Sequence, residues 1–208
     1  MSNELFQGEF RILYTPSEFA RTNLFYLQET GHLQARKPHI SKRQNLMSYL
    51  FFYLTDGSGI LNYDGKEYTL NQGDCVFINC QTPYFHQSSE DLWSLNWIHF
   101  YGPTIHSIYL KYIERGGQPI FHPADLATFT SLWQNLYHIA SASEFLKDMK
   151  INEYLFSLLT LVMEQSWNSE VKLLSFKQHS LIDVKEYIDT HYAEKITLDQ
   201  LSEMFSIN

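Results

Sequence analysis

Apolar and polar residues alternate in short runs between residues 46 and 101, and this alternation predicts antiparallel β-strands. Turn residues separate the runs: the stretch from Asp56 to Gly59 predicts a turn, and Asp64-Gly65 is the strongest hairpin signal in the chain. Closely spaced strands of this kind are typical of a sandwich or a small barrel. The predicted strands are 46–54, 59–63, 66–70, 74–79, 84–88 and 93–101.

Helical periodicity replaces the alternation after residue 123. Apolar residues recur at three- and four-residue steps from Leu126 to Ile139, and a second stripe of the same kind follows. Ser141 stands three residues before Glu144, the spacing of a capping box that opens a second helix. The stripes must be buried against the barrel, which we favour for most positions, or against a second copy of the chain. The second stripe is wide enough to supply a dimer seam, which we assign to Leu155, Leu158, Leu159 and Val162.

The last forty residues predict a polar linker at 169–179 and a helical unit that begins near Ser180. Thr197 and Gln200 have the spacing of a reciprocal N-terminal cap for a short final helix. We expect two apolar faces, one on each helix of this unit: Leu181, Val184, Ile188 and Tyr192 on the first, and Leu198, Leu201 and Phe205 on the second.

Composition narrows the classes of protein that fit. A hydrophobic fraction of 44% and a charged fraction of 18% allow a buried core, and no apolar run approaches the roughly 20 residues of a membrane span. We therefore expect a soluble, cytoplasmic protein with no membrane partner. The net charge of −8 argues against a nucleic-acid-binding surface within the printed chain. Cys75 and Cys80 lie in a strand-like run that places them on opposite faces, so we expect buried free thiols.

The C-terminal segment 181–208 reads as a helix, a break, a capped helix and a turn, which is the front half of a helix-turn-helix. It resembles the start of the DNA-binding region of the AraC family of bacterial transcription regulators. Ser202 stands where the family usually has Ala, and Asn208 stands where Ser is common. Because the recognition helix would come next, we expect the native chain to continue past Asn208; a helical hairpin that only packs is the alternative. The matching elements are Tyr187-Ile188, His191-Tyr192, Ile196-Thr197-Leu198 and Leu201-Ser202.

The segment 48–102 is similar to the cupin-like effector domain that precedes the DNA-binding region in the same family. The resemblance implies an α+β fold: an N-terminal cupin-like antiparallel β-barrel of the double-stranded β-helix type, followed by α-helices. It also implies a division into a barrel with an N-terminal arm at 1–122, a helical dimerisation segment at 123–168, the linker, and the incomplete helix-turn-helix at 180–208. The matching elements are Tyr49-Leu50, Gly57-Ser58-Gly59, Asp64-Gly65-Lys66, Tyr68-Thr69-Leu70, Gly73-Asp74 and Trp97-Ile98-His99-Phe100-Tyr101-Gly102.

Metal-dependent cupins need a His-x-His pair, a Glu and a later His that all face into the barrel. Residues 46–64 contain no histidine, and the later position is represented only by His86 with Tyr84 nearby. We therefore expect no metal, no cofactor and no enzymatic activity.

Binding fits the barrel better, because strand alternation places Trp93, Leu95, Trp97, His99 and Tyr101 on one face. The resemblance implies that Trp97 stacks on a sugar ring. It also implies a cationic contact from Arg43, or from Lys42 beside it, on the approach to the Tyr49 strand. Leu95 stands where the family has a polar residue, a departure that argues against arabinose itself. Each assignment has an alternative. Trp97 could belong to the core, His86 and His99 could be structural histidines, and Arg43 could lie on a solvated loop. The expected ligand-binding residues are Trp97, His86, Tyr84, Arg43, Tyr49 and Leu95.

These inferences predict the ligand-sensing and dimerisation part of an AraC-type transcription regulator. We expect it to respond to a carbohydrate or a related small polar metabolite, to form a homodimer, and to reach DNA through a C-terminal part that follows the printed sequence. The rival hypotheses are a cupin-fold enzyme that processes a sugar and a stand-alone small-molecule-binding protein.

Overall fold

The computed structural model describes residues 10–165, 184–185, 187–192 and 196–205. The predicted N-terminal arm before Phe10 and the predicted linker at 169–179 lie outside these residues. The strands are β1 (Phe10–Leu13), β2 (Tyr26–Gln34), β3 (Ile40–Arg43), β4 (Tyr49–Tyr63), β5 (Lys66–Asn71), β6 (Cys75–Asn79), β7 (Tyr84–Tyr101) and β8 (Ile120–Phe121). The helices are α1 (Glu18–Asn23), α2 (Ile105–Glu114), α3 (Leu126–Ser141), α4 (Lys147–Gln165) and α5 (Leu198–Phe205).

The eight strands form one antiparallel sheet in the order β1-β2-β7-β4-β6-β8, with β3 paired to β7 and β5 paired to β4. Strand β7 is the centre of the sheet, because it pairs with β2, β3 and β4. The sheet is rolled: Phe52 in the first half of β4 places its ring 4.9 Å from that of His86 in the first half of β7. This rolled antiparallel sheet followed by helices confirms the predicted α+β fold class.

The turn predicted over Asp56 to Gly59 is wrong, because β4 continues through it. Two register shifts, between Leu54 and Asp56 and between Gly57 and Gly59, bend the strand instead. Gly57 has a φ of 75°, a left-handed conformation that costs glycine little because it lacks a Cβ. Strand β7 is likewise one element where two strands were predicted. Residues that resemble turns therefore act as bulges in long, bent strands.

The hairpin predicted at Asp64-Gly65 is confirmed. Tyr63 and Lys66 form the closing pair between β4 and β5. The two residues between them have φ values of 52° and 74°, the backbone of a two-residue turn whose twist matches the flanking strands.

Alternate side chains of the sheet enter two separate cores. The inner core lies inside the barrel, and the outer core lies between the other face of the sheet and the helices. Cys80 belongs to the inner core and Cys75 to the outer core, and both are free and buried, which confirms their predicted placement on opposite faces. The inner core includes Leu50, Phe52, Leu61, Val76, Ile78, Trp93 and Leu95, and the outer core includes Phe51, Phe77, Ile98, Phe100, Phe129, Trp133 and Leu155.

Helix α3 is attached to the sheet by a buried hydrogen-bond chain as well as by apolar packing. The Trp133 indole Nε1 donates to Thr30 Oγ1 over 3.1 Å. The same hydroxyl donates to the main-chain oxygen of Trp97 over 2.7 Å. Thr30 is fully buried, so this chain satisfies polar groups that would otherwise be costly to bury. One side chain thus connects β2, β7 and α3.

The predicted dimer seam on α4 needs correction. Its residues have exposures between 0% and 3%, because they pack into the outer core of the same chain. A side chain that is buried within its own monomer cannot also form a contact with a second copy. The alternative, burial against the barrel, is therefore correct for Leu155, Leu158, Leu159 and Val162.

The capping box predicted at Ser141 is also wrong. Ser141 is the last residue of α3, where its hydroxyl donates to the main-chain oxygen of Tyr137 over 2.9 Å. Helix α4 begins at Lys147. The side chain of Asp125 caps the start of α3 by accepting from the Ala127 amide over 2.9 Å.

The predicted cap of the last helix is confirmed, because Thr197 and Gln200 exchange hydrogen bonds in both directions, over 3.0 and 3.3 Å. The Tyr187 ring packs against Phe205 at a centroid distance of 5.8 Å. Of the predicted apolar faces, Val184 and Leu201 are buried, and Leu181 lies outside the described residues. Only part of each predicted face is buried, since the exposed positions include Ile188, Tyr192 and Leu198. No helix in the described part of the chain has both the length and the apolar character needed to cross a membrane.

Candidate functional site

A cavity of about 160 Å³ opens into the inner face of the rolled sheet. Strand alternation aims side chains from β2, β3, β4 and β7 into it, and Arg11 of β1 reaches its rim. A cavity of roughly 150 Å³ accommodates a molecule the size of benzene, so this one suits a single ring or an equally small chain. It is lined by Arg11, Glu29, Leu33, His39, Ser41, Arg43, Leu50, His86, Leu95, Trp97 and His99.

Glu29 is the only carboxylate among the described residues that line the cavity. Its Oε1 accepts from the Trp97 indole Nε1 over 2.9 Å, and its Oε2 is paired with Arg11. Burial disfavours the ionised form, but the hydrogen bond from Arg11, the nearby His99 and the Trp97 hydrogen bond outweigh it and hold the pKa of Glu29 below its ordinary value. Glu29 is therefore an ionised group whose charge is already compensated.

Gly31 allows the Trp97 indole to lie close to β2. A Cβ at residue 31 would stand 2.5 Å from the distal carbons of the indole and 2.3 Å from the Phe10 carbonyl oxygen. No side chain fits in that space, so glycine at this position sets the depth of the cavity wall beside Trp97.

Two buried histidines of the lining are neutral at physiological pH. Burial lowers the pKa of His86 to about 3, assisted by His39, His99 and Arg43. Burial likewise lowers the pKa of His99 to about 4, against the opposing effect of Glu29. A neutral imidazole offers one hydrogen-bond donor and one acceptor and no charge.

The two imidazoles differ in the partners that they have. His99 Nδ1 is hydrogen-bonded to Ser48 Oγ over 2.9 Å. His86 Nδ1 is buried and has no hydrogen-bond partner in the described part of the chain. Since buried polar atoms are rarely left unpaired, the His86 nitrogen is a group that a bound molecule can satisfy.

The structure brings Trp97, His86, Arg43 and Leu95 together at the cavity, as the sequence predicted. Tyr84 packs in the inner core beside this lining, where its exposure is 3%.

The predicted position of Tyr49 at the ligand needs correction, because Tyr49 lies on the opposite face of β4 from the cavity. It packs in the outer core, and its hydroxyl is 3.2 Å from His106 Nδ1. Its neighbour Leu50 lines the cavity instead, as strand alternation requires.

Several lining residues were missed by the sequence reasoning. Ser41 could have been found, because it shares a strand face with Arg43. Glu29 and Arg11 carry no such signal: the register of β2 against β7 shifts between Leu27 and Glu29. A bulge of this kind breaks the two-residue period on which face assignment depends.

No group of three or more His, Cys, Asp or Glu side chains within the described ranges is arranged to hold a metal ion. The cavity lining combines polar side chains with apolar walls. Leu33, Leu50, Leu95 and Trp97 supply apolar surface. This combination is that of a small-molecule-binding site.

Residues 24–159 match the family model described as the AraC-like ligand-binding domain. None of the curated proteins matches the chain.

Similar solved structures include the AraC-like transcriptional activator CuxR, with a TM-score of 0.46 and 11% identity over 86% of this chain and 66% of that one. ToxT from Vibrio cholerae has a TM-score of 0.40 and 9% identity, over 89% of this chain and 72% of that one. YhaK from Escherichia coli has a TM-score of 0.38 and 9% identity, over 47% of this chain and 46% of that one. The match thus spans about two thirds of CuxR and less than half of YhaK. Structural similarity this low is not evidence of a shared function.

Proposed function

The chain belongs to the family of AraC-like ligand-binding domains, and from that membership we propose that it senses a small molecule on behalf of a DNA-binding transcription regulator. The observation that carries the proposal is the cavity inside the rolled sheet, with its apolar walls and inward-facing polar groups. The proposed role is binding without chemical conversion of the ligand.

The proposed ligand is a carbohydrate or a related small polar metabolite. The Trp97 ring provides a flat apolar wall of the kind that the C–H face of a sugar ring packs against. Ser41 and the unpaired His86 nitrogen provide hydrogen-bonding groups for hydroxyls. The cavity volume supports a single ring and argues against a disaccharide.

The proposed organisation of the whole protein is a barrel at 1–122, helices at 123–168, a linker, and the start of a helix-turn-helix at 180–208. Contact with DNA through the helix-turn-helix region belongs to the same proposal, and the protein acts in the cytoplasm. A homodimer belongs to the same proposal. Because the residues first assigned to its seam are buried, a test of dimerisation should use the exposed α4 positions Met149 and Phe156, which have exposures of 50% and 55%.

Ligand binding regulates the protein only if the ligand binds two arrangements of the chain with different affinities. The Thr30 hydroxyl offers a physical connection for such a difference. It joins the main chain of Trp97 at the cavity wall to Trp133 of α3. An occupant that displaces Trp97 therefore alters a hydrogen bond held by the helices on the opposite face of the sheet.

The proposal is tested by isothermal calorimetry with a panel of monosaccharides and sugar derivatives on the chain and on Trp97→Ala. We expect Trp97→Ala to weaken binding of any active ligand by about tenfold or more, since an aromatic contact is worth roughly 0.5–1.5 kcal/mol beyond the area it buries. Trp97→Phe retains part of the wall and should lose less. The exposed Tyr192→Ala is the control, because its side chain is 83% exposed.

Unchanged affinity in Trp97→Ala, with the variant folded by circular dichroism, contradicts the assignment of the cavity. The ligand should be recovered unaltered after prolonged incubation. Conversion of the ligand would support an enzyme instead.

A further inference from the structure

Positive charge is concentrated in one short part of an otherwise acidic chain. The chain has a net charge of −8, yet no Asp or Glu occurs between Glu29 and Asp56. The cations within that stretch are Arg36, Lys37, Lys42 and Arg43. The field at this edge of the barrel is therefore opposite in sign to that of the whole molecule, and clefts lined by one sign of charge concentrate ligands of the other.

One positive charge of the cavity lining has no opposite charge paired with it. Glu29 is paired with Arg11, so these two residues together contribute no net charge. Arg43 is an exposed residue of the same lining, and its guanidinium forms no hydrogen bond or ion pair within the described ranges. The depressed pKa values of His86 and His99 leave both imidazoles neutral, and Arg43 is one of the groups that depress them. The cavity lining therefore carries one unpaired positive charge.

A second groove leads to the cavity from the same side. It has a volume of about 530 Å³ and is formed by residues 33–39. It shares Leu33 and His39 with the cavity, so the two spaces meet at these residues. Arg36 and Lys37 line the groove, so the approach to the cavity is positively charged as well.

We propose that the ligand of this cavity is a small organic anion: a monocarboxylate on a body of about one ring, with its carboxylate held by Arg43. This inference rests on the proposed function and names the charge of the ligand. A guanidinium can donate two parallel hydrogen bonds to a carboxylate, and such charge-assisted bonds are about twice as strong as neutral ones. A neutral sugar would leave the charge of Arg43 unmatched.

The other lining groups fit the remainder of such a ligand. Trp97, Leu50 and Leu95 contact an apolar ring face, while Ser41 and His86 Nδ1 serve any hydroxyls. Glu29 is compensated by Arg11 and Trp97, so it does not oppose the carboxylate as a bare negative charge would.

The test compares matched acids and neutral analogues by isothermal calorimetry at pH 7 and low salt. D-glucuronate is paired with D-glucose, and benzoate is paired with benzamide. These pairs separate a sugar acid from an aromatic acid and keep the shape of each body nearly constant. Each ligand is titrated into the chain, into Trp97→Ala, into Arg43→Gln and into Lys42→Gln. The last variant is the control, because Lys42 is the neighbouring cation on β3 and projects to the opposite face.

We expect at least one acid to bind about ten- to a hundredfold more tightly than its neutral partner, the usual range for a hydrogen bond to a charged group. This preference should weaken with added salt, disappear in Arg43→Gln and persist in Lys42→Gln. The comparison within the unsubstituted chain stands even if a variant fails to fold.

Four results overturn the inference. Equal binding of acid and neutral analogue, or binding of D-glucose alone that depends on Trp97, refutes the anionic ligand and leaves the proposed sensing cavity intact. Acid binding that is unchanged in both Arg43→Gln and Trp97→Ala places the ligand elsewhere and refutes the cavity as well. Absence of binding by all four probes at millimolar concentration refutes the anion proposal, while the wider ligand panel continues to test the cavity.

Discussion

The two faces of the rolled sheet exclude water in different ways. The outer face is covered by α3 and α4, and its core is built from large aromatic and aliphatic side chains such as Phe51, Phe77 and Trp133. The inner face is closed by the curvature of the sheet itself and keeps a cavity with Glu29 and neutral histidines on its wall. A face that needs only to be covered can be uniformly apolar. A face that binds a ligand must leave volume unfilled and keep polar groups unpaired, at a cost in stability.

The largest expected effect comes from placing a charge in the outer core. Leu155→Asp replaces a side chain that is 0% exposed with a carboxylate that has no partner among the surrounding apolar residues. We expect a loss of more than about 4 kcal/mol in the free energy of unfolding, sufficient to unfold a domain of ordinary stability. Circular dichroism and urea titration measure this loss.

The control for this substitution is Thr160→Asp on the exposed face of the same helix. It should change the free energy of unfolding by less than about 1 kcal/mol. If Leu155→Asp is tolerated equally well, helix α4 does not cover the sheet in the way described.

The second effect concerns the inner face and depends on pH. An unfolded histidine has a pKa near 6.5, whereas burial gives His86 a pKa of about 3 and His99 a pKa of about 4 in the folded chain. Below pH 6.5 the unfolded chain binds protons that the folded chain does not, so stability falls as the pH falls toward these lower values. We expect a loss of about 2 kcal/mol for each histidine between pH 6.5 and pH 5, from the usual 1.36 kcal/mol for each pH unit.

Urea titrations at several pH values measure this slope. His86→Gln should reduce this slope by the contribution of one histidine. An unchanged slope in His86→Gln would mean that His86 takes up its proton equally in the folded and unfolded chains.

The smallest effect is expected from Glu29→Gln at the cavity wall. The amide oxygen can still accept from Trp97, but Arg11 loses its ionic partner, and that arginine is about half exposed. We expect a loss of about 1 kcal/mol in the free energy of unfolding, because an ion pair with one half-exposed partner is screened by solvent. The matched control is Glu67→Gln on the exposed side of β5, which should have no measurable effect. A loss as large as that of Leu155→Asp would show that the cavity wall is part of the stabilising core.

The outer face could be predicted well from the sequence. The helical stripes of α3 and α4 are periodic and apolar, so the positions of Phe129, Leu136 and Leu155 indicated burial correctly. The same pattern did not show which part of the molecule packs against these stripes. The assignment of Leu155 to a dimer seam was wrong for that reason. An apolar stripe reports the area to be buried and leaves the partner undetermined.

The inner face was predicted only in part. Trp97 and His86 were found because they lie on regularly alternating strands, and Arg43 because of a resemblance at the approach to β4. Glu29 and Arg11 were missed, since a bulge in β2 and the roll of the sheet bring them to the site. Contacts made by curvature over long sequence separations leave no local pattern. For the same reason, Gly57 was interpreted as part of a turn when it bends a continuous strand.

The pairing of β2 with β7 also determines when the protein can fold during its synthesis. Tyr26 is matched with Tyr101, so β2 has no partner on that side until almost the whole barrel has left the ribosome. During this interval the Asp64-Gly65 hairpin can form locally, but the earlier strand keeps an unpaired edge. Sheet closure is therefore a late event that depends on distant contacts, and such contacts slow folding. The nascent chain is accordingly most exposed to aggregation in the period just before residue 101 emerges.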